Sequence, residues 1–143
     1  MKIMEVKKEY YMAILNTLDT DKRAFLDADI VADRYYLAFD GLPFGGFAVR
    51  FDGYLTGLFS KKKGYGRKLF EERLKVSKRY NLNIVDKRLT LFCTGNKLKD
   101  LYSEFGFEVY NVIEWNDDYA PKNWDYERFG RPNLYEMELV YTK

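Results

Sequence analysis

The stretch that decides the reading is Leu55-Thr56-Gly57-Leu58-Phe59-Ser60-Lys61-Lys62-Lys63-Gly64-Tyr65-Gly66-Arg67-Lys68-Leu69-Phe70-Glu71-Glu72-Arg73-Leu74. Leu55, Leu58 and Phe59 form a short apolar run with Thr56 and Gly57, which predicts a strand. Gly64 and Gly66 mark a turn, because glycine has no Cβ and reaches positive φ cheaply. From Arg67 the pattern turns helical: Phe70 and Leu74 are four apart, Leu69 and Val76 seven, and Glu71 and Lys75 fall one turn apart on the wet side. A helix start offers free N–H groups and partial positive charge, which suits an anion. Five Lys/Arg within Lys61–Lys68 add full charge. Two readings stand: a cradle for a phosphate-bearing ligand, or a solvated basic loop on a helix N-terminus. The stretch is no GxxxxGK[ST] loop, and no GxGxxG fingerprint either, since Leu69 stands where the third glycine belongs.

Working outward, 143 residues fit one domain, 1–143, with a sizeable core. With 47% hydrophobic and 32% charged residues, the chain reads as soluble and globular. A net charge of +2 is too small to argue for nucleic acid. The single cysteine, Cys93, rules out an internal disulfide and makes a reducing compartment natural. No run has the length of a membrane helix, and Met1–Lys8 has no secretory apolar region, so a cytoplasmic location is expected. The chain has no histidine, which excludes Ser-His-Asp and Cys-His chemistry; with one cysteine as well, no metal site is expected.

The remaining pattern predicts a strand at Lys2–Val6, a helix over Glu9–Leu18, and a second helix from Thr20 or Asp21 through Ala32, with Phe25, Leu26, Ile30 and Val31 inward. Strands follow at Arg34–Phe39, Gly45–Phe51 and Tyr54–Ser60, joined by turns at Asp40–Pro43 and Asp52-Gly53. After the helix over 67–80 comes a break at Asn81–Asn83 and a strand at Arg88–Cys93, in which Cys93 reads as a small buried residue. Leu98, Leu101, Tyr102 and Phe105 predict a helix opened by Gly95-Asn96, with Asn96 as its cap, and stopped by Gly106. Strands at Phe107–Glu114 and Leu134–Tyr141 close the chain. Between them, Trp115–Asn133 is long for a connection. Its aromatics among acidic residues read either as a packed surface loop with a hidden short helix, or as a wall that selects an amine-bearing acceptor.

Two segments together resemble the GCN5-related N-acetyltransferase (GNAT) superfamily. Lys61-Lys62-Lys63-Gly64-Tyr65-Gly66 is similar to the family's [QR]-x-x-G-x-[GA] loop, with Lys61 where the family has Gln or Arg. Gly95-Asn96-Lys97-Leu98-Lys99-Asp100-Leu101-Tyr102-Ser103-Glu104-Phe105-Gly106-Phe107 looks like N-x-x-A-x-x-L-Y-x-x-x-G-F, with Asn96 six residues before the tyrosine in place of seven. The resemblance implies an α/β GNAT fold: a mixed, mostly antiparallel central sheet flanked by helices on both faces. It further implies acyl-CoA-dependent N-acyl transfer, most simply of acetyl from acetyl-CoA to a primary amine by direct attack, in a monomer or homodimer without a membrane partner.

On that resemblance, the loop Lys61, Lys62, Lys63, Gly64, Tyr65, Gly66 and Arg67 binds the donor phosphates. A backbone N–H near Leu58 or Phe59 polarises the thioester, Asn96 holds the pantetheine arm or orders its helix, and Tyr102 protonates the leaving thiolate. The target amine must lose a proton, and the base is open among Glu114, Asp117, Asp118, a tyrosine and water. Two alternatives belong to other classes. One is a catalytically silent GNAT-fold protein that binds CoA or a protein partner. The other is a nucleic-acid module built on Lys61–Lys68, against which the balanced charge argues.

Overall fold

The computed structural model describes residues 1–81 and 88–140. The described residues form seven strands in one sheet: β1 (Lys2–Val6), β2 (Arg34–Asp40), β3 (Leu42–Val49), β4 (Tyr54–Ser60), β5 (Arg88–Thr94), β6 (Glu108–Ile113) and β7 (Leu134–Val140). Their order across the sheet is β1-β2-β3-β4-β5-β7-β6. Only β4 and β5 run parallel; the other neighbours are antiparallel. The helices are α1 (Lys8–Leu15), α2 (Thr20–Arg23), α3 (Gly66–Asn81), α4 (Asn96–Glu104) and α5 (Tyr126–Phe129). None of the described helices is long and apolar enough to cross a membrane.

Alternation along the strands sends side chains to two cores. Tyr35 and Leu37 of β2 pack with Tyr11 and Leu15 of α1, Ile30, Ala48 and Phe59. Their neighbours Tyr36 and Ala38 face the other way, towards Phe44, Phe47, Val49 and the α3 residues Leu69 and Val76. On that same side α3 and α4 share a core with β5 and β7, built on Phe70, Leu74, Leu91, Tyr102, Phe107 and Met137. Phe70 is fully buried there, with the rings of Tyr102, Phe105 and Phe107 at 4.8, 4.7 and 5.8 Å. Burying one such ring stabilises the fold by about 1.5–3 kcal/mol.

The second predicted helix is much shorter than expected, spanning Thr20–Arg23 and not reaching Ala32. Arg23 explains the stop. Its guanidinium donates to the carbonyls of Leu26, Asp27 and Ala28 at 3.2, 2.7 and 2.8 Å, and curls the chain around itself. Ile30 is buried as expected, but Phe25 and Val31 are exposed. β3 begins at Leu42, so Gly41 alone makes the turn, and it ends at Val49 short of Phe51. Asp52 is the turn residue its sequence predicts: Oδ1 accepts from the Tyr54 N–H at 3.0 Å. Of the predicted break at Asn81–Asn83, Asn81 is the last residue of α3, and Leu82 and Asn83 lie outside the described residues, as does Tyr141 of the last strand.

Two irregularities shape the middle of the sheet. Opposite Phe47 of β3, β4 places both Gly57 and Leu58, a bulge with Gly57 at φ 71°. Tyr11 donates its buried hydroxyl to the Gly57 carbonyl from across the sheet. A Cβ at Gly57 would meet that hydroxyl and would stand 3.0 Å from Ile30 Cγ2. The second irregularity is the parallel ladder, which pairs only Tyr54 with Thr90 and Leu55 with Leu91 before the strands part.

Gly57→Ala combines a strained φ with a clash and should cost about 1–3 kcal/mol. Tyr11→Phe leaves the Gly57 carbonyl without its buried donor and should cost about 1–3 kcal/mol. Urea denaturation reads both, and losses below about 0.5 kcal/mol would mean that the bulge carries no strain and the hydroxyl no weight.

Candidate functional site

Where β4 and β5 part, a cleft of about 740 Å³ opens. Leu58, Phe59 and Ser60 of β4, Phe92 and Thr94 of β5, Asn96 and Tyr102 of α4, and Gly66 and Arg73 of α3 line it. Phe25, Trp124 and Phe129 close its far side. Leu58 is half-buried on this wall, while Phe59 packs against Tyr11, ring to ring at 5.6 Å.

The basic loop leads from β4 into α3 at one end of the cleft. The Lys61 N–H donates to the Phe44 carbonyl at 2.6 Å, and the Lys62 N–H to Ser60 Oγ at 3.2 Å. From Lys63 to Lys68 the backbone N–H groups have no acceptor among the described residues. The free run therefore begins at Lys63, two residues into the predicted loop, and it wraps the start of a sixteen-residue helix. Gly64 turns at φ 87°, and a Cβ there would meet nothing.

The side chains of the loop are not equivalent. Lys62 Nζ pairs with Asp40 at 2.5 Å and lies over the rings of Phe44 and Tyr65. That ammonium holds the Asp40 carboxyl below the usual carboxylate range. Arg67 pairs with Glu104 of α4 and covers Phe105. Lys61, Lys63 and Lys68 have no ion-pair partner among the described residues, so they remain for an anion.

Tyr102 is 9% exposed, packs at a tilt against Phe70, and has no hydrogen-bond partner for its hydroxyl among the described residues. Burial raises its pKa and the nearby Arg73 guanidinium opposes that rise, so the phenol is protonated at neutral pH. Asn96 is not the cap of α4. Gly95 occupies the cap position at φ 87°, and Asn96 Oδ1 accepts from the Tyr135 hydroxyl at 2.5 Å, tying α4 to β7.

The long segment before β7 contains a 3-10 turn at Asp117–Tyr119 and α5. Trp124 is buried against Phe25, Trp115 and Phe129 at 5.0, 4.8 and 5.2 Å, and its Nε1–H donates to the Gly130 carbonyl. Arg128 pairs with Asp21 of α2 across the chain. Of the candidate bases, Glu114, Asp117 and Asp118 do not line the cleft. Asp117 is held by Arg131 and by Trp115 Nε1–H, which keeps its carboxyl low. The carboxylates that do line the cleft are Asp21 and Asp27.

One lining residue escapes the sequence reading. Arg73 lies among the buried apolar residues of α3 and is 3% exposed. Its Nη1 donates to the Thr56 carbonyl at 3.1 Å, one residue past the last β4–β5 pair, while Nε is buried without a partner. The signal was a charge at the i+3 position after Phe70, where the helical stripe calls for an apolar residue.

Cys93 is buried with Met137 sulfur at 3.9 Å, and burial pushes its thiol up to about 11. A folded-state pKa above the unfolded value favours the folded state below the unfolded pKa of about 8.5 and loses that contribution as pH rises past it. At pH 8 a thiol reagent should modify Cys93 only as fast as the protein opens, and alkaline denaturation should set in earlier for the wild type than for Cys93→Ala when each is compared with its own stability at pH 7. Rapid labelling of the folded protein would contradict the burial.

No protein-family model matches the sequence, and no curated protein sequence is similar to it. Solved structures are similar along the whole chain. The ribosomal-protein-alanine N-acetyltransferase of Brucella melitensis superposes with a TM-score of 0.65 at 15% identity, over 99% of this chain and 100% of that one. A GNAT-family acetyltransferase from Streptococcus pneumoniae gives 0.63 at 19% identity, over 99% of each chain. A Mycobacterium tuberculosis protein in complex with CoA gives 0.62 at 14% identity, over 99% of this chain and 100% of that one.

Proposed function

We propose that this chain, which has the GNAT fold, is an acyl-CoA-dependent N-acyltransferase that moves acetyl from acetyl-CoA to a primary amine. The observation that supports this most is the free run of backbone N–H groups from Lys63 to Lys68, at the mouth of a split between two strands. Such a run at a helix start suits a pyrophosphate. Lys61, Lys63 and Lys68 are placed for the remaining donor phosphate, while Lys62 and Arg67 are spent on shaping the loop.

The transfer then needs a polarised carbonyl, an amine and a proton for the leaving group. The pantetheine arm takes the place beside β4 that β5 has left. The backbone N–H of Leu58 or Phe59, next to the bulge, meets the thioester oxygen; donors of this kind are worth about 3–4 kcal/mol in acyl transfer. The amine nitrogen forms the new C–N bond as the C–S bond breaks. Tyr102, protonated and facing the cleft, gives its proton to the thiolate and regains one from solvent. The proton lost by the amine leaves through water or through Asp27; Asp21 is committed to Arg128.

Calorimetric titration with acetyl-CoA is the first test, and a folded protein that shows no saturable binding would falsify the reading. Tyr102→Phe should leave acetyl-CoA affinity unchanged and lower kcat by about 10²–10⁴-fold. Lys63→Glu with Lys68→Glu should weaken acetyl-CoA binding by about tenfold or more, while Lys62→Ala should act through loop order and change it less.

A further inference from the structure

We propose that Arg73 is a carboxylate anchor at the closed end of the cleft, so that one of the two reactants carries a carboxylate: the acyl group of the donor, or the amine acceptor. This rests on the N-acyltransferase reading and says what that site selects.

The argument starts with α3. Its inward face is apolar at Leu69, Phe70, Leu74 and Val76, and Arg73 is buried among them. Taking a guanidinium out of water is costly, and proteins ordinarily answer it with a counter-charge. Among the described residues no carboxylate pairs with Arg73. Of its five N–H donors, one hydrogen bond is made, to the Thr56 carbonyl. Nε stays buried and unanswered. The face of the Phe70 ring lies 5.0 Å from Cζ, but a cation–π contact returns less than desolvation costs. The ionisable groups that bear on it are the phenols of Tyr102, Tyr11 and Tyr54, and these are neutral at neutral pH. A permanent buried cation with spare donors thus lines a cleft and has no anion of its own.

The donor phosphates do not supply that anion. They belong at the start of α3, and seven residues of helix put Arg73 about 10 Å further along. Arg73 sits instead beside Thr56, where β4 and β5 begin to part and where the acyl carbon and the amine meet in the proposed reaction. A planar guanidinium matches a carboxylate with two parallel hydrogen bonds, which a lysine or a neutral donor cannot offer.

The test uses the full chain, Arg73→Met and Arg73→Lys, with urea denaturation as the control for folding. Methionine removes the buried charge but also the donor to the Thr56 carbonyl, so the urea control should read a loss in stability while the protein stays folded. The donor arm measures the Kd of acetyl-CoA against succinyl-CoA. The acceptor arm measures kcat/KM with acetyl-CoA for phenylalanine against phenylethylamine and lysine against cadaverine, pairs that differ by a carboxylate alone. In one arm the wild type should prefer the carboxylate-bearing member by about tenfold or more, and Arg73→Met should erase that preference and keep acetyl-CoA affinity within about twofold. Arg73→Lys should restore part of it. The arm that responds identifies which reactant carries the group. If acetyl-CoA binds but neither preference appears, or a preference survives in Arg73→Met, the inference fails and the acyltransferase reading stands. A uniform drop in kcat with all substrates would assign Arg73 to a transient charge and also overturn it. If the wild type binds no CoA ester, both fall together.

Discussion

The parting of β4 from β5 after two paired residues is the constraint on which the rest of the structure depends. A parallel ladder broken so early leaves main-chain groups in the middle of a sheet without a strand partner, and buried groups of that kind must be answered by something. Three answers are built from distant parts of the chain. The bulge at Gly57 turns the backbone out of register with β3, the Tyr11 hydroxyl takes the Gly57 carbonyl, and Arg73 takes the Thr56 carbonyl. With those in place, β4 leads into the basic loop and the loop into α3. The cleft, its phosphate-suited mouth and its cationic closed end all follow from one interrupted ladder.

Charge in the loop is partly structural. Lys62 and Arg67 tie the loop to the end of β2 and to α4, so the loop is braced on both sides before any ligand arrives. Both pairs are exposed, and pairs of that kind add little to stability. They matter because they fix the direction of the free N–H groups between them. The lysines left over, Lys61, Lys63 and Lys68, point to solvent and supply net positive charge where anions approach.

Much of this was legible in the sequence, because the signals are local. Asp52-Gly53, the continuous apolar run of β2, the alternation of β7, and the helical spacing of Leu98 to Phe105 each act within a few residues. The length of α2 was not legible, since Arg23 ends it by reaching carbonyls in a loop it has itself drawn round. The commitment of Asn96 was hidden for a similar reason: Tyr135, which holds it, is 39 residues away. Phe25 reads as a core residue from its spacing, yet its partners are the rings of Trp124 and Phe129 near the other end of the chain. Arg73 was visible as an exception to the stripe of α3, but its burial and its missing counter-charge exist only once β4 and α4 have closed over it.

The wall around Trp124 joins the first and last fifths of the chain, with Asp21 and Arg128 separated by 107 positions. Contacts so distant in sequence close a very long loop, and they form late because that loop must lose its entropy before they return anything. The sheet and the phosphate end of the cleft are built from segments nearer to one another. A chain emerging from the ribosome therefore presents the basic loop, α3 and α4 before the residues that wall the other end have been made. A wall held by contacts between the two ends of the chain is the part to open first, so the cleft unlatches in the reverse of the order in which it is assembled.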